Sequence, residues 1–185
     1  MSATEELKHE HRVIERMLSV LEKAAEKVEQ GGELPPDFFN RAVDFIRNFA
    51  DRCHHGKEEE NLFPEMEKKG IGRETGPLGV MLLEHEKGRA FVRGMAEAGE
   101  RYAKGDKSAL PEAIENARGY AQLLWQHIDK EDNILYNMAD MVLTPQDQLA
   151  LTERFEAVEQ ERIGSGKHEQ YVAMVEKMAQ EVGLP

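Results

Sequence analysis

The sequence repeats one pair of side chains that can bind a metal ion, a histidine followed four residues later by a glutamate. His54 and Glu58 form the first pair, in "HHGKE", and His127 and Glu131 form the second, in "HIDKE". Residues four apart on a helix lie on the same face, one turn from each other. An imidazole nitrogen and a carboxylate oxygen on one face can coordinate the same ion. The two pairs therefore predict two matching sets of metal ligands.

A second repeat supplies two further histidines, each preceded by a glutamate. "EHRVIERML" begins with Glu10 and His11, and "EHEKGRAFV" begins with Glu84 and His85. The distance along the chain from this motif to the following His-x-x-x-Glu pair is almost the same in both halves. The sequence thus consists of two related helical hairpins, each with one histidine on its first helix and the pair on its second.

Apolar residues at helical spacing run through most of the chain, and no stretch alternates as strands do. They predict four long helices joined by "GGELPPD", "KGIGRETGP" and "AKGDKSALP". The first runs from about 4 to 29, the second has Pro35 and Pro36 near its first turn and ends at about 69, the third holds apolar residues from Leu78 to Ala96 and is ended by "AKGDKSALP", and the fourth runs from about 112 to 141. Thr144 and Pro145 match the cap and first position of a fifth helix, and "GSGK" separates it from a sixth. The predicted fold is all-α, an up-down-up-down four-helix bundle (1–143) with a helical C-terminal extension (144–185) packed on it.

The apolar positions also predict which of the candidate ligands face the bundle interior. At about 100° per residue, His54 lies on the apolar side of its helix, and Glu58 lies about 40° round the same face. His55 lines up with polar residues, so we expect it to face water or the flank of a site. The same test places three more histidines on apolar stripes: His11, His85 and His127.

Burying two carboxylates costs several kcal/mol each unless they are paired or coordinate a metal. A core imidazole with a hydrogen-bonded neighbour explains any one histidine, but a metal site explains the whole set: His11, His54, Glu58, His85, His127 and Glu131. Imidazole with carboxylate suits iron, manganese or zinc, and the absence of cysteine clusters argues against closed zinc and iron–sulfur sites. The repeated arrangement suits two ions about 3.5–4 Å apart, bridged by the two glutamates.

Length and composition narrow the class of protein. The 185 residues carry a formal net charge of -12, which argues against a nucleic-acid surface. No apolar run has the length of a membrane span or the character of a signal peptide. The single cysteine, Cys53, suits a reducing compartment and is expected to be a small packed residue. We therefore expect a cytoplasmic monomer or homodimer that binds neither nucleic acid nor membranes.

The sequence resembles the hemerythrin-like family of HHE cation-binding domains. The resemblance rests on "KHEHRVI", "FADRCHHGKEEENLFPEME", "LLEHEKGRAFV" and "LLWQHIDKEDNILY", which lie within about residues 5–142. It implies a non-haem centre of two bridged iron ions per chain inside a four-helix bundle. It also implies bridging carboxylates at Glu58 and Glu131 and terminal ligands at four positions: His11, His54, His85 and His127.

One position departs from the oxygen carriers of that family, which have a second histidine four residues after the third-helix ligand. Here that position is Arg89. Water, His55 or a side chain of the extension such as His168 could take the place of this fifth histidine. An alternative register pairs His55 with Glu59. Apart from Glu58, the segment "KEEENLF" is predicted to be a solvated face.

The resemblance implies a small ligand at the centre, either peroxide or a diatomic molecule such as O₂ or nitric oxide. Three functions follow from it: oxygen binding or sensing, enzymatic turnover of peroxide or nitric oxide under oxidative or nitrosative stress, and iron storage or delivery. The missing fifth histidine argues against simple oxygen transport. Tyr120 could donate a hydrogen bond to a bound oxygen ligand or serve only as a core aromatic residue.

Overall fold

The computed structural model describes residues 1–74, 76–164 and 166–185. Over these residues the chain forms six helices and no strand, which confirms the all-α prediction. Thr75 and Ser165 fall in two of the predicted loops and lie outside the described residues. The helices are α1, Ala3–Glu29; α2, residues 38–68; α3, Pro77–Ala103; α4, residues 110–142; α5, Pro145–Arg162; and α6, Lys167–Val182.

The first four helices form the predicted bundle. Helix α1 packs against α2 and α4, and α3 packs against the same two helices, so that the four enclose one interior. Short connections between successive helices make neighbours in sequence antiparallel, which is the up-down-up-down arrangement.

A polar layer divides the interior of the bundle into two hydrophobic clusters. On α1, Leu7 belongs to one cluster and Ile14 to the other; on α3, Met81 and Val92 are divided in the same way. Each gap in the apolar stripe is filled by one of the predicted histidines, as His11 fills the gap on α1. The candidate ligands of all four helices therefore lie at one level of the bundle.

Two helix starts carry the capping residues that sequence rules favour. Ser2 accepts a hydrogen bond from the backbone N–H of Glu5, and the Glu5 carboxylate accepts one from the backbone N–H of Ser2. Thr144 makes the same reciprocal pair with Asp147 at the start of α5, where Pro145 takes the first helical position. Such caps satisfy N–H groups that the helix itself leaves unpaired, and the predicted start of the fifth helix is confirmed.

Helices α2 and α4 are not regular α-helices throughout. Three stretches have π-helical hydrogen bonding, Ile46–His55 and Glu58–Leu62 in α2 and Glu131–Leu135 in α4. A π-helical turn encloses one more residue than an α-helical turn, and such turns are frequent at functional sites. Each of these stretches contains or adjoins candidate ligands, so local backbone geometry helps to aim those side chains.

The last two helices add side chains to both hydrophobic clusters. Phe155 of α5 belongs to one, and Val175 of α6 belongs to the other. Ion pairs also hold α6 to the bundle, among them Arg41 with Glu181 at 2.7 Å. The division into a bundle (1–143) and an extension (144–185) stays a prediction. Within the described residues, none of the helices combines the length and apolar composition that a membrane crossing requires.

Candidate metal centre

The predicted ligands meet in the polar layer as two adjoining groups. Within each group, the possible ligand atoms lie within 4.8 Å of one another, and every member is buried. Glu58 belongs to both groups. The first group is His11, His54, Glu58 and Glu131, and the second is His55, Glu58, His85 and His127. The structure thus brings together all six of the main candidates and adds His55.

Of the two places expected for His55, water or the flank of a site, the first is wrong, because the residue is only 4% exposed. His55 stacks on His85, with 3.8 Å between the ring centroids. An α-helix turns by about 100° per residue, which separates neighbouring side chains. His54 and His55 end the π-helical stretch Ile46–His55, where the wider turn rotates less per residue, so both imidazoles point inward.

Both carboxylates lie between the two groups of imidazoles. One oxygen of Glu131 is 3.2 Å from Nε2 of His11, and its other oxygen is 3.2 Å from Nε2 of His127. Glu58 Oε2 lies 3.5 Å from Nε2 of His85 and 3.9 Å from Nε2 of His54. Each carboxylate therefore reaches histidines of both groups, as a ligand that bridges two cations must.

Several polar atoms at the centre have no hydrogen-bond partner among the described residues. They are Oε2 of Glu58, both carboxylate oxygens of Glu131, and Nε2 of His54. Leaving such atoms buried and unsatisfied costs free energy, on the order of 1–3 kcal/mol each and more for charged groups. Metal ions between the two groups would satisfy these atoms, so the donor set fits bound cations.

Each of the five imidazoles has its Nδ1 fixed by a carboxylate. The Nδ1–H donates to a carboxylate oxygen, which leaves Nε2 directed away from that oxygen and available as a metal ligand. Such carboxylate partners fix the orientation of metal-binding histidines. The pairs are His11 with Asp132 at 2.7 Å, His54 with Glu10 at 2.8 Å, His55 with Asp51 at 3.2 Å, His85 with Glu59 at 2.7 Å, and His127 with Glu84 at 2.9 Å.

A lysine stands behind two of these carboxylates at equivalent positions of the internal repeat. Lys57 donates to Glu10, and Lys130 donates to Glu84. The prediction of a solvated face in "KEEENLF" is wrong at Lys57, which is completely buried, and also at the buried residues Asn61, Leu62 and Phe63. The ammonium of Lys57 also lies 3.5 Å from Glu159 of α5, which ties the fifth helix to the surroundings of the centre.

Arg89 orients the imidazoles of the second group through two carboxylates. Its guanidinium donates to Asp51 and to Glu59, each at 2.8 Å. Asp51 in turn accepts from His55, and Glu59 from His85. His55 joins the second group on the side where the family resemblance led us to expect a histidine at position 89.

The alternative candidates occupy other places. Glu59 accepts hydrogen bonds from His85 and Arg89 and belongs to neither group of ligand atoms, so the structure does not support the register that pairs it with His55. His168 packs against Phe49, with 4.9 Å between ring centroids, and lies in neither group. Cys53 is buried, and burial raises the pKa of its thiol to about 12, as expected for a packed residue.

Burial and neighbouring charges divide the histidines into two kinds when no metal is bound. Burial lowers the pKa of His55 to about 4 and that of His85 to about 3, so both rings are neutral at pH 7. Burial alone would also lower the pKa of His127, but the negative charge of the adjacent Glu131 raises it to about 9. Metal ions coordinate deprotonated ligands, so cations that bind here must displace the proton from His127.

The two central carboxylates also differ in protonation. Burial and the adjacent charge of Glu131 raise the pKa of Glu58 well above its usual value. Burial alone would raise the pKa of Glu131 too, yet His127 and His11 hold that pKa well below its usual value. The hydroxyl of Tyr136 donates to Glu58 at 2.6 Å. In the metal-free centre, Glu131 is therefore the charged carboxylate, and Glu58 carries the proton.

A cavity of about 190 Å³ reaches the second group from the side of the bundle. His55 and His85 lie at its inner end, and Tyr120 forms part of its wall. The Tyr120 ring belongs to the hydrophobic core, while its buried hydroxyl has no hydrogen-bond partner among the described residues. A small molecule can therefore approach the centre from this side.

Comparison with known proteins agrees with this geometry. The sequence model of the hemerythrin HHE cation-binding domain matches residues 2–139. The chain belongs to this family. Uncharacterized proteins of Mycobacterium tuberculosis and Mycobacterium bovis are 23% identical to it over 184 residues, which cover 100% of this chain and 71% of each relative. No solved structure matches the chain closely enough to count as a relative.

Membership of the hemerythrin HHE family agrees with the metal-binding interpretation of the His/Glu layer, but the motif alone did not reveal the surrounding carboxylates. The sequence pattern did not indicate the roles of four carboxylates that orient the imidazoles: Glu10, Asp51, Glu84 and Asp132. One signal was available for Glu10 and Glu84, because they precede His11 and His85 at equivalent positions of the repeat. The sequence also held a signal for the burial of His55. His55 aligns with Ile128 of the second half, and an apolar residue at the equivalent position indicates that this side of the helix is buried.

Proposed function

We propose that this hemerythrin-domain chain holds two iron ions per molecule and binds a small oxidant, either O₂, peroxide or nitric oxide. The observation that carries the proposal is the pair of adjoining ligand groups that share Glu58. Five imidazoles and two carboxylates form a set of nitrogen and oxygen donors that suits iron. Such an iron pair, when bound, would supply redox chemistry that no side chain of the centre provides.

The division of ligands supports a site for an exogenous molecule. The first group offers two imidazoles and the second offers three, and both have Glu58 and Glu131 within reach. An octahedral ion has six positions. If both carboxylates bridge, the protein supplies fewer than six donor atoms to either ion, which leaves room for water or an oxidant.

The protein orients the metal ligands, keeps bulk water away from them by burying them, and gives small molecules access to the centre. Carboxylates hold the imidazoles through Nδ1, so each ring is fixed before a ligand arrives. Tyr136 holds one oxygen of Glu58. The cavity beside His55 and His85 admits small molecules. The Tyr120 hydroxyl in the cavity wall has no partner in the part of the chain that the structure describes, so it can donate a hydrogen bond to a ligand.

Metal analysis and optical spectra of freshly purified protein test the first half of the proposal. We expect about two irons per chain and near-ultraviolet absorption bands of a bridged ferric pair. His54→Ala should lose iron, whereas His168→Ala, which alters a histidine outside both groups, should keep it. Zinc bound in stoichiometric amount, with no uptake of iron, would refute the redox function.

Stopped-flow spectroscopy of the reduced, iron-loaded protein tests the second half. We expect rapid spectral change on mixing with at least one of O₂, hydrogen peroxide or nitric oxide. A species that forms with O₂ and reverses under vacuum indicates binding or sensing, and rapid oxidation with consumption of the added molecule indicates an enzyme. Absence of any reaction with all three would contradict the proposed ligand class.

A further inference from the structure

The cavity beside the second group has mainly apolar walls and two arginines at its entrance. Ile46, Gly88, Val92 and the Tyr120 ring provide apolar surface along its length. A cavity of about 150 Å³ with apolar walls can bind a molecule of the size of benzene. The space here, about 190 Å³, is therefore larger than O₂ or peroxide requires.

Two arginines without carboxylate partners stand at the outer end of this cavity. Arg47 of α2 and Arg93 of α3 both line it and are exposed, whereas the imidazoles at its inner end are buried. Among the described residues, neither guanidinium forms an ion pair, although Arg89 between them and the centre pairs with Asp51 and two glutamates. Unpaired positive charges at an entrance attract anions locally, here against the long-range repulsion of a net charge of -12.

We propose that the cavity binds a small organic anion, with its acidic group at Arg47 and Arg93 and its apolar body against Val92 and Tyr120. The inference rests on the proposed function, since it names a class of ligand that reaches the same centre. Guanidinium groups bind carboxylates with paired hydrogen bonds. The unpartnered Tyr120 hydroxyl offers a further hydrogen bond inside the apolar space.

Gly88 keeps this space open. A Cβ at this position would lie 3.5 Å from Leu124 Cδ2 and 3.6 Å from Tyr120 Cε2, which are ordinary contact distances. A larger side chain at position 88 would therefore extend into the cavity without displacing backbone. Because Gly88 contributes no ligand atom to either group, such a change separates filling of the cavity from loss of metal.

Calorimetric titration of the iron-loaded protein with benzoate and with benzamide tests the inference. The two probes have nearly the same shape, and only benzoate is charged. We expect benzoate to bind about tenfold more tightly than benzamide, and the double variant Arg47→Gln/Arg93→Gln to abolish this preference. Arg52→Gln is the matched control, because Arg52 is an exposed arginine of α2 outside the cavity, and it should leave both affinities unchanged.

A second variant tests the place of binding. Gly88→Leu should weaken both probes at least tenfold while iron content stays at the wild-type value. Equal affinity for the two probes, or a benzoate preference that survives the double arginine variant, would overturn the inference. Iron content measured on the same samples distinguishes failure of the proposed function from failure of the anion-binding inference. A lack of iron refutes the proposed function, whereas the titrations test anion binding through residues that bind no metal.

Discussion

Lys57 and Lys130 occupy equivalent positions of the internal repeat but should differ greatly in their contribution to stability. Lys57 is completely buried and donates to Glu10 and Glu6, whereas the Lys130 side chain is 34% exposed and pairs with Glu84. Burial alone would lower the pKa of Lys57, but Glu10 holds it above its usual value, so the side chain is charged. Lys57→Met would leave the carboxylate of Glu10 buried without its cation.

The size of the effect follows from burial. Removing one partner of a buried ion pair costs about 3–5 kcal/mol, whereas an exposed pair contributes about 0–1 kcal/mol. For a chain of this length, 1 kcal/mol corresponds to about 2–4 °C in melting temperature. Lys57→Met should therefore lower the melting temperature by at least about 6 °C, and Lys130→Met by no more than about 4 °C.

Thermal unfolding of the metal-free variants, followed by circular dichroism, checks this difference, because weaker metal binding would itself lower the melting temperature of metal-loaded protein. The double variant Lys57→Met/Glu10→Gln should recover much of the lost stability, because it replaces the buried pair with uncharged side chains. It should still bind metal about 10–100-fold more weakly, since the carboxylate behind His54 is gone. Equal losses for Lys57→Met and Lys130→Met, or a double variant less stable than the single one, would refute the electrostatic argument.

Three further predictions concern the centre and its cavity. Gly88→Ala should raise the free energy of unfolding by about 0.5–1 kcal/mol, because the added methyl group has room and glycine weakens helices; a urea titration measures it. His55→Ala should lower iron content and His168→Ala should not, and equal iron in both variants would show that His55 is no ligand. In metal-free protein near pH 7, Glu131→Gln should lower the melting temperature because Glu131 is charged and paired with protonated histidine, whereas Glu58→Gln should change it little because Glu58 already carries a proton. Equal shifts for the two glutamates would contradict this assignment of the proton.

The helices could be predicted from sequence because apolar spacing, capping residues and glycine–proline connections all indicated the same boundaries. Helix α1 was expected from about residue 4 and begins at residue 3, and the cap at Thr144 lies where predicted. Internal repetition then related the two hairpins without any structural information. Agreement between local propensity and overall pattern is what makes such helices predictable.

The surroundings of the centre were less predictable, because they depend on backbone geometry and on contacts between helices. A uniform rotation of about 100° per residue cannot represent the π-helical stretch Ile46–His55, and this placed His55 on the wrong side. Lys57 was assigned to solvent because charged residues are usually exposed. Only the packed structure shows that Glu10, Glu6 and Glu159 from two other helices surround its ammonium group.

The arginine at position 89 and the inward orientation of His55 are best understood as one rearrangement. Arg89 of α3 occupies the position where the family resemblance leads us to expect a further histidine, and His55 of α2 supplies an imidazole to the same group. The guanidinium of Arg89 then holds Asp51, the carboxylate that orients His55, and Glu59, which orients His85. Replacing Arg89 by histidine alone would remove that support from both imidazoles, so the arginine contributes to the centre through the ligands it orients.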